Sequence, residues 1–340
     1  MWALIRLDKI GDLVCTLPVD HLIPVDQKRL WIIYEDLKPL IENRTDITQS
    51  KFRTLQRNTN WKQQYQDLQS IFKECQISHI IFYYGPWWVG LAAVQAKINF
   101  RFTRYFKPWT YLFFNNGLRQ SRSKSEKHEL EYNFELTQKA LQQVQIKPID
   151  ISKTYPILKL EVQTPRRHFE KFSLKHKQYL VIHPSMAGSA LNWPQIHWSE
   201  LISTCLEKYK VIITGSSSDE DFLNQINIDK NHSNLIWTVN QFSFYDLLGI
   251  LQSAKIVIAP STGVLHLARA LSTNSIGIYP PVLSQHPDRW KAQGANIFLP
   301  PVLCPATKKC LLEKCSYHPC MKLITPKEIF QKIQTSMEDI

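Results

Sequence analysis

The stretch of residues 256–271 constrains the fold of this chain more than any other part of its sequence. Residues 256–259 form an apolar run that predicts a buried β-strand. Residues 260–263, Pro-Ser-Thr-Gly, interrupt that run, and residues 264–271 continue with apolar side chains at helical spacing. A strand, a small-residue turn and a helix in this order are typical of α/β proteins, in which helices cover both faces of a mostly parallel sheet.

The turn inside this stretch has the chemistry of an anion-binding site. The first N–H groups of a helix lack partners within the helix, and the helix dipole favours negative charge beside them. Ser261 and Thr262 add hydroxyl groups, Gly263 lets a ligand approach the backbone, and His266 follows one helical turn later. A plain βα turn with a hydroxyl N-cap has the same residues, so this pattern alone leaves both interpretations open.

The alternation of strands and helices recurs in both halves of the chain. Strands are predicted at residues 2–7, 30–34, 77–84, 178–183, 210–214 and 275–279, with helices at 61–74, 127–143 and 243–251. A chain of 340 residues suits two domains, and the stretch 162–175, which ends a Pro-punctuated segment, is the predicted linker. We therefore predict an α/β protein with doubly wound domains at residues 1–165 and 166–340.

The first predicted strand leads into a second candidate site. The sequence Asp-Lys-Ile-Gly-Asp-Leu follows it, and a helix over residues 13–19 is predicted to end or kink at Pro18. Asp12 is therefore expected near a helix N-terminus at the carboxyl end of a strand, the edge at which open α/β sheets bind ligands. Because Asp is also a preferred N-cap residue, helix capping and function are both consistent with this position.

Two strands of the C-terminal half also end in polar loops. The predicted strand at residues 178–183 is followed by Pro-Ser-Met-Ala-Gly at residues 184–188. The predicted strand at residues 210–214 is followed by Gly-Ser-Ser-Ser-Asp-Glu at residues 215–220. Asp219 and Glu220 have the chemistry to bind ribose hydroxyls, as acidic residues do in nucleotide-binding α/β folds. The alternative is that residues 216–220 are an N-capped helix start.

The chain carries an excess of basic residues, 41 against 29 acidic ones, and this net charge of +12 favours an anionic partner. Eight of the basic residues, Arg101 and Arg104 among them, lie within residues 97–127, where aromatic side chains are interleaved and Glu126 is the one acid. Such a segment suits an anionic lipid surface, single-stranded nucleic acid, or a partly buried loop with a solvated basic tail.

Several other classes of protein are disfavoured by the sequence. Neither G-x-G-x-x-G nor G-x-x-x-x-G-K-[ST] occurs, which argues against a dinucleotide oxidoreductase and a P-loop enzyme. The apolar stretch 80–96 contains Gly85-Pro86, so it is predicted to be a strand, a loop and a helix rather than a membrane span. Charged residues at positions 6, 8 and 9 interrupt any signal-peptide core.

Four of the seven cysteines lie in the C-terminal tail, at Cys304, Cys310, Cys315 and Cys320. The intervening gaps of five, four and four residues differ from the C-x2-C pairs of a zinc ribbon. A metal site, a redox pair and free thiols are all compatible with this spacing. The odd number and the scatter of the other cysteines fit a reducing compartment.

Three segments of the chain together resemble glycosyltransferase family 9, the ADP-heptose:lipopolysaccharide heptosyltransferases and their relatives. Residues 5–18 are similar to the family opening I-R-x-x-x-x-G-D-x-x-x-T-x-P, through Ile5-Arg6-Leu7, Gly11-Asp12 and Thr16-Leu17-Pro18. The nucleotide-side segment is matched by His183-Pro184, Trp193-Pro194 and His197-Trp198, and the D-[ST]-G-x-x-H signature by Ser261-Thr262-Gly263 and His266. Weaker agreement in residues 127–129, 280–281 and 289–290 and in the Cys-rich tail extends the resemblance over nearly the whole chain.

The resemblance implies a GT-B architecture, in which two Rossmann-like domains face each other across a cleft. It implies an inverting transferase in which Asp12 is the base, with no bound metal and no cofactor. We expect the nucleotide-sugar donor to contact Ser185, Ala187, Gly188, Asp219, Glu220, Ser261, Thr262, Gly263 and His266. We expect the acceptor to contact Lys9, Gly11, Arg101 and Arg104.

The expected substrates are ADP-heptose as donor and the lipopolysaccharide core or a related anionic glycolipid as acceptor. A cytoplasmic protein with peripheral contact at the inner-membrane face and no nucleic-acid partner fits these substrates. The chain departs from the family at Ser261, where Asp is frequent, and at Leu191, where Lys is frequent. Phosphate charge would then be neutralised by backbone amides, His266 or Arg289. The alternative is a non-catalytic GT-B-like protein that binds a glycan or a nucleotide.

Overall fold

The computed structural model describes residues 1–47, 51–151, 155–186 and 191–338. The β-strands in these ranges are β1 (Trp2–Arg6), β2 (Arg29–Tyr34), β3 (Phe52–Leu55), β4 (His79–Tyr84), β5 (Phe100–Arg104), β6 (Asn116–Leu118), β7 (Tyr179–Ile182), β8 (Lys210–Ile213), β9 (Leu235–Trp237), β10 (Ile256–Pro260), β11 (Asn274–Ile278) and β12 (Asn296–Phe298). The α-helices are α1 (Ile10–Val14), α2 (Pro39–Glu42), α3 (Trp61–Glu74), α4 (Trp88–Gln95), α5 (Pro108–Phe113), α6 (Glu129–Gln143), α7 (Arg166–Lys171), α8 (Gln195–Leu206), α9 (Glu220–Leu223), α10 (Phe244–Ser253), α11 (Gly263–Ala270), α12 (Pro287–Trp290) and α13 (Pro326–Glu338).

Contacts along the chain define two units. The first contains Met1–Arg122 and Glu129–Leu160, and the second contains Ser123–His128 and Glu161–Ile340. The short segment Ser123–His128 belongs to the second unit because Ser125 Oγ donates to the Leu283 carbonyl oxygen at 2.6 Å. His128 Nε2 also lies 2.8 Å from the carbonyl oxygen of Lys291.

Each unit is built on a parallel sheet with the same strand order. The order is β3-β2-β1-β4-β5-β6 in the first unit and β12-β11-β10-β7-β8-β9 in the second. In both, the first strand of the unit lies between its second and fourth strands, which is the arrangement of a doubly wound Rossmann sheet. The predicted pair of Rossmann-like domains is therefore confirmed.

The central strands are buried on both faces, which explains why their sequences are continuous apolar runs. All five residues of β1 and all five of β10 are buried. Helices cover these faces: α3 is N-capped by Asn60, whose side chain accepts from the Gln63 N–H, and this helix buries Leu68 against the sheet of the first unit. Each sheet therefore has its own apolar core, and the polar residues that follow the strands lie at the sheet edge.

The helix predicted over residues 13–19 is wrong. Helix α1 begins earlier and ends at Val14, and a 3-10 helix, Leu17–Leu22, follows it. Pro18 explains the break, because it has no N–H to donate to the Val14 carbonyl four residues earlier. Asp12 consequently lies in the first turn of α1, close to the predicted helix N-terminus.

The basic, aromatic segment 97–127 contains regular structure that the sequence analysis did not predict. It forms β5, α5, β6 and a 3-10 turn. Phe100, Phe102 and Thr103 are buried, whereas Arg101 and Arg104 are half-buried, so apolar burial holds this strand although it carries two charged residues. The stretch 80–96 divides into β4, a loop at Gly85-Pro86 and α4, as predicted. Among the described residues, no helix has the length and apolar character needed to cross a bilayer.

Candidate functional site

Asp12 and the turn at Ser261 lie where each sheet reverses its strand order. The strands that meet at this point are β1 and β4 in the first unit and β7 and β10 in the second. Open α/β sheets bind ligands outside the carboxyl ends of the strands at such a point. Asp12 lies in the helix after β1, and Ser261 follows β10 directly, so both candidate sites occupy the position that this topology favours.

A buried arginine organises the site of the first unit. Arg6, the last residue of β1, is 2% exposed, and its Nη2 donates to Asp12 Oδ1 at 2.5 Å. Two further contacts join it to Asp8, from Nε to Oδ1 and from Nη2 to Oδ2, each at 2.9 Å. Although burial alone would lower the pKa of Arg6, these carboxylates raise it, so the guanidinium is charged.

A third carboxylate reaches the same guanidinium from α6. Glu129 Oε1 lies 3.8 Å from Arg6 Nη1, and Glu129 also forms a close ion pair with the buried Arg122. Asn133, one turn further along α6, donates to Thr16 Oγ1 at 3.0 Å. Thr16 in turn donates to the Asp12 main-chain oxygen at 2.7 Å. Helix α6 therefore fixes both the charge around Arg6 and the position of α1.

Asp8 has a raised pKa, although an ion pair with an arginine usually lowers the pKa of a carboxylate. Burial, opposed by the charge of Arg6 and assisted by that of Asp12, raises the pKa of Asp8 to about 7. The Asp12 side chain is 22% exposed and so can be reached from solvent, while that of Asp8 is 13% exposed. The arrangement can hold a proton-accepting carboxylate, Asp12, at the surface of a buried charge network.

The other residues predicted to contact the acceptor are spread along the first unit. Lys9 is exposed at the start of α1, and Gly11 lies half-buried within that helix. Arg101 donates to the carbonyl oxygens of Ile98 and Phe113, so its guanidinium supports the chain around β5. Arg104 lies over the ring of Phe106, with its Cζ 4.4 Å from the ring centroid.

The site of the second unit is the turn between β10 and α11. Thr262 is the N-cap of α11, and its side-chain oxygen accepts from the Val264 N–H at 3.1 Å. The Ser261 N–H donates to the Ile278 carbonyl oxygen at 3.1 Å, which ties the turn to β11. Ser261, Thr262 and Gly263 are all partly exposed, so a ligand can reach the helix N-terminus. Helix capping and ligand access therefore coexist at this turn.

His266, one of the groups that the sequence analysis offered for neutralising phosphate charge, is uncharged in this structure. Its side chain is buried within α11, and burial, together with the nearby His128, lowers its pKa to about 3 despite a hydrogen bond to the Trp290 backbone. The imidazole is therefore neutral near neutral pH.

Asp219 is an internal capping residue. It accepts from the Ser216 N–H at 2.8 Å and from the Ser216 hydroxyl at 2.7 Å, which completes the capping box expected as the alternative to ribose binding. Burial would raise its pKa, but hydrogen bonds from Ser216 and Ser185 hold it below its usual value. Ser185 is buried, and Glu220 is exposed at the start of α9. The predicted donor contacts Ala187 and Gly188 lie outside the described residues.

The four tail cysteines lie near one another. They line a small cavity together with Leu191, Val302 and His318. In the described part of the chain, no set of three or more His, Cys, Asp or Glu side chains is arranged to hold a metal ion.

Sequence reasoning found Asp12 but missed the residues that surround it. Arg6 entered only as part of a motif, and Asp8, Glu129 and Arg122 were assigned no role at the site. Glu129 lies far from Asp12 in sequence, so no local pattern connects the two. The available signal for Glu129 was the weak similarity of Lys-His-Glu at residues 127–129 to the family. Their proximity becomes visible only when α6 packs beside the first turn of α1.

Comparison with known proteins identifies the family. Residues 92–318 match the model of glycosyltransferase family 9 (heptosyltransferase). A protein of Haemophilus influenzae, provisionally named a glycosyltransferase, is 27% identical over 302 residues, which cover 84% of each chain.

Solved structures share the fold of the whole chain. A family 9 glycosyl transferase from Veillonella parvula has a TM-score of 0.78 at 13% identity, covering 100% of this chain and 97% of its own. The ADP-heptose lipopolysaccharide heptosyltransferase II of Escherichia coli has a TM-score of 0.75 at 16% identity, with coverages of 99% and 98%. Because the family model matches more than half of the chain, this protein belongs to glycosyltransferase family 9, the heptosyltransferase family, and is a glycosyltransferase.

Proposed function

We propose that this enzyme transfers a heptose from ADP-heptose to a lipopolysaccharide-core or related anionic glycolipid acceptor. Membership of the heptosyltransferase family supports a sugar-transfer reaction. The Escherichia coli protein of the same fold is an ADP-heptose lipopolysaccharide heptosyltransferase, which supports this choice of donor and acceptor. The net charge of +12 suits a phosphorylated glycolipid.

Asp12 is the general base in this proposal. Its carboxylate removes the proton of an acceptor hydroxyl as that oxygen attacks the anomeric carbon, and the bond to the nucleoside diphosphate breaks on the opposite face with inversion. The observation that carries the proposal is the placement of Asp12 at the carboxyl end of β1, partly exposed and oriented by Arg6 at 2.5 Å. A base must lie within hydrogen-bond reach of the proton it removes, and solvent access permits this.

The turn at Ser261–Gly263 is the proposed diphosphate site. Backbone N–H groups at the start of α11 and the hydroxyl of Ser261 would bind the phosphate oxygens, and the helix dipole would stabilise the leaving charge without a metal ion. His266 would contribute a neutral hydrogen bond. Ser185, Asp219 and Glu220 are proposed to shape the nucleotide side.

The acceptor side is proposed to lie beside Asp12. Lys9 and Gly11 are the predicted acceptor contacts closest to Asp12 in sequence. Arg101 and Arg104 belong to the basic segment that would meet the anionic glycolipid. Such a segment is attracted to a membrane surface with anionic headgroups. We therefore propose peripheral contact with the cytoplasmic face of the membrane that holds the acceptor.

A thermal-shift screen against ADP, GDP, UDP, CMP and their sugar conjugates tests the donor. A ligand that binds only the folded state raises the unfolding midpoint, so the proposal expects the largest shift with ADP and ADP-heptose. A larger shift with another nucleotide would reassign the donor, and no shift with any of them would contradict the proposed site.

A transfer assay with the Asp12→Asn variant tests the base. We expect transfer to fall about 10²–10⁴-fold, the usual contribution of general base catalysis, with unchanged thermal shift by the donor. Asp26→Asn is the matched control, since Asp26 is an exposed aspartate of the same unit. Full transfer by the Asp12→Asn variant would remove Asp12 from the mechanism.

A non-catalytic function has one specific observation in its favour. Leu191, where the family often has Lys, is partly buried against the apolar core of the second unit and cannot hold phosphate charge. Nucleotide binding without transfer to any glycolipid would favour this reading.

A further inference from the structure

Asp8 is a third carboxylate of the first site, and the proposed reaction gives it no task. Its carboxylate contacts two nitrogen atoms of the Arg6 guanidinium, Nε and Nη2, at 2.9 Å each. Asp12 shares Nη2 with it, at 2.5 Å, and Glu129 lies 3.8 Å from Nη1. One guanidinium is thus divided among three carboxylates.

Within the described residues, the ion pairs of this cluster contain more carboxylates than arginines. Two arginines, Arg6 and Arg122, face three carboxylates, Asp8, Asp12 and Glu129. Buried carboxylates beside one another oppose each other's ionisation, because each negative charge raises the cost of the next. The cluster therefore has an intrinsic tendency to take up a proton.

We propose that Asp8 is a positioning residue for the transfer reaction: by holding two of the Arg6 N–H groups, it keeps the Asp12 carboxylate able to accept the proton of the acceptor hydroxyl. This inference rests on the proposed role of Asp12 as the base. An arginine paired with Asp12 alone would stabilise its ionised form strongly and make it a weak base. Division of the guanidinium among carboxylates weakens that stabilisation, while the remaining hydrogen bond still orients Asp12.

The surroundings of Asp8 show which groups control its charge. The charged and titratable groups that face it are Arg6, Asp12, Glu129, Cys15, Tyr34 and Arg57. Of these, Arg57 donates to the Asp8 main-chain oxygen at 2.9 Å, so it fixes the backbone. Burial raises the pKa of Asp8 to about 7. As the pH falls through that value, Asp8 takes up a proton and becomes neutral. The positive charge of Arg6 then interacts with the carboxylates of Asp12 and Glu129.

The pH dependence of transfer by the Asp8→Asn variant tests this role. In the wild type we expect kcat/KM to decline as the pH falls through about 7, because Asp12 becomes a weaker base when Asp8 is protonated. In the variant the rate at pH 8 should be lower by about tenfold, and the decline near pH 7 should be absent. Asp8→Glu should restore part of the rate and the decline, since it restores the carboxylate.

Asp46→Asn is the matched control, because Asp46 is also a buried carboxylate bound to an arginine of the first unit. It should leave the pH profile unchanged. A purely structural role for Asp8 would lower the rate of Asp8→Asn but keep the decline near pH 7, and this result would overturn the inference.

Titration of the aspartate carboxyl carbons by ¹³C NMR separates this inference from the proposed function. We expect a resonance with a midpoint near pH 7 that is absent from Asp8→Asn, and a lower midpoint for Asp12 in that variant. An unmoved Asp12 midpoint would overturn the role of Asp8 whether or not transfer is observed. Full transfer by Asp12→Asn would instead overturn the base on which the inference rests.

Discussion

Two arginine–carboxylate clusters of the first unit use the same chemical groups in different proportions. One is centred on Arg44, whose Nη1 lies 2.6 Å from Asp20 and whose Nη2 lies 2.8 Å from Asp46. Arg29 pairs with Asp20 from the other side at 2.8 Å. Two arginines thus meet two aspartates, and we call this group the Arg44 cluster.

The second group, which we call the Arg6 cluster, has more carboxylates than arginines. Arg6 and Arg122 face Asp8, Asp12 and Glu129. The contrast appears in the pKa values: burial opposes ionisation at Asp46, but hydrogen bonds from His21 and Arg44 lower its pKa to about 2, whereas burial raises that of Asp8 to about 7.

The difference shows how the ratio of charges separates a structural cluster from one suited to chemistry. A balanced buried cluster holds its carboxylates ionised over the whole physiological range, so it contributes rigidity. A cluster with an excess carboxylate exchanges a proton near neutral pH. The Arg44 cluster joins the 3-10 helix Leu17–Leu22 to β2 and the residues after α2, while the Arg6 cluster presents Asp12 to solvent.

The largest effect is expected for Asp20→Asn in the Arg44 cluster. Asp20 accepts from Arg29, from Arg44 and from the indole N–H of Trp31. Loss of its charge removes the ion pair with Arg29 and one ion pair of Arg44, and breaking a buried pair in this way costs about 3–5 kcal/mol of unfolding free energy. Urea unfolding at pH 7 measures it. As a control, Asp36→Asn breaks an exposed pair with Arg57 and should change stability by less than about 1 kcal/mol.

A smaller effect of opposite direction is expected for Asp8→Asn in the Arg6 cluster. The folded-state pKa of about 7 lies above the unfolded value near 4, so the folded protein holds a proton between pH 4 and 7 that the unfolded chain has released. The unfolding free energy of the wild type therefore falls as the pH rises through this window. Asn cannot titrate, so the variant should gain roughly 2–4 kcal/mol relative to the wild type between pH 4 and pH 8.

Urea unfolding of both proteins across pH 4–8 measures this gain. In the variant, the Arg6 guanidinium still forms ion pairs with Asp12 and Glu129, so no unpaired buried charge offsets the gain in stability. A stability difference that stays constant across this range would show that Asp8 is ionised throughout, and the contrast between the two clusters would disappear.

The sequence was informative about the fold where the local pattern decides the structure. Helix α3 was predicted with its observed bounds, and the central strands β1, β4, β7 and β10 within one or two residues, because each is a continuous apolar or amphipathic pattern. The short strands β3, β5, β6, β9 and β12 were missed. Strand β5 pairs with β4 and β6, but it contains Arg101 and Arg104 among aromatic residues. These charged residues interrupt the apolar pattern by which a buried strand is predicted.

The candidate site was predicted only in part, because a local sequence pattern marks only some of its residues. Asp12 and the Ser261–Gly263 turn were found because each follows a recognisable strand. The Arg6 cluster depends on Glu129, which lies far from Arg6 in sequence, and so on packing that no local pattern encodes. The neutral state of His266 likewise follows from its burial and from the nearby His128, which lies far from it in sequence.

The smallest effect is the pH dependence contributed by Asp46. Its folded-state pKa of about 2 lies below the unfolded value near 4, so its stabilisation is complete above pH 4 and is lost as the pH falls towards 2. Asp46→Asn should therefore be less stable than the wild type by roughly 2 kcal/mol at pH 6 and by about half as much at pH 3, and the two should converge near pH 2. Urea unfolding at pH 2, 3 and 6 measures the convergence. A difference that is as large at pH 2 as at pH 6 would mean that Asp46 acts through hydrogen bonds to Arg44 rather than through its charge, and the balance of charges would then not be what distinguishes the Arg44 cluster from the Arg6 cluster.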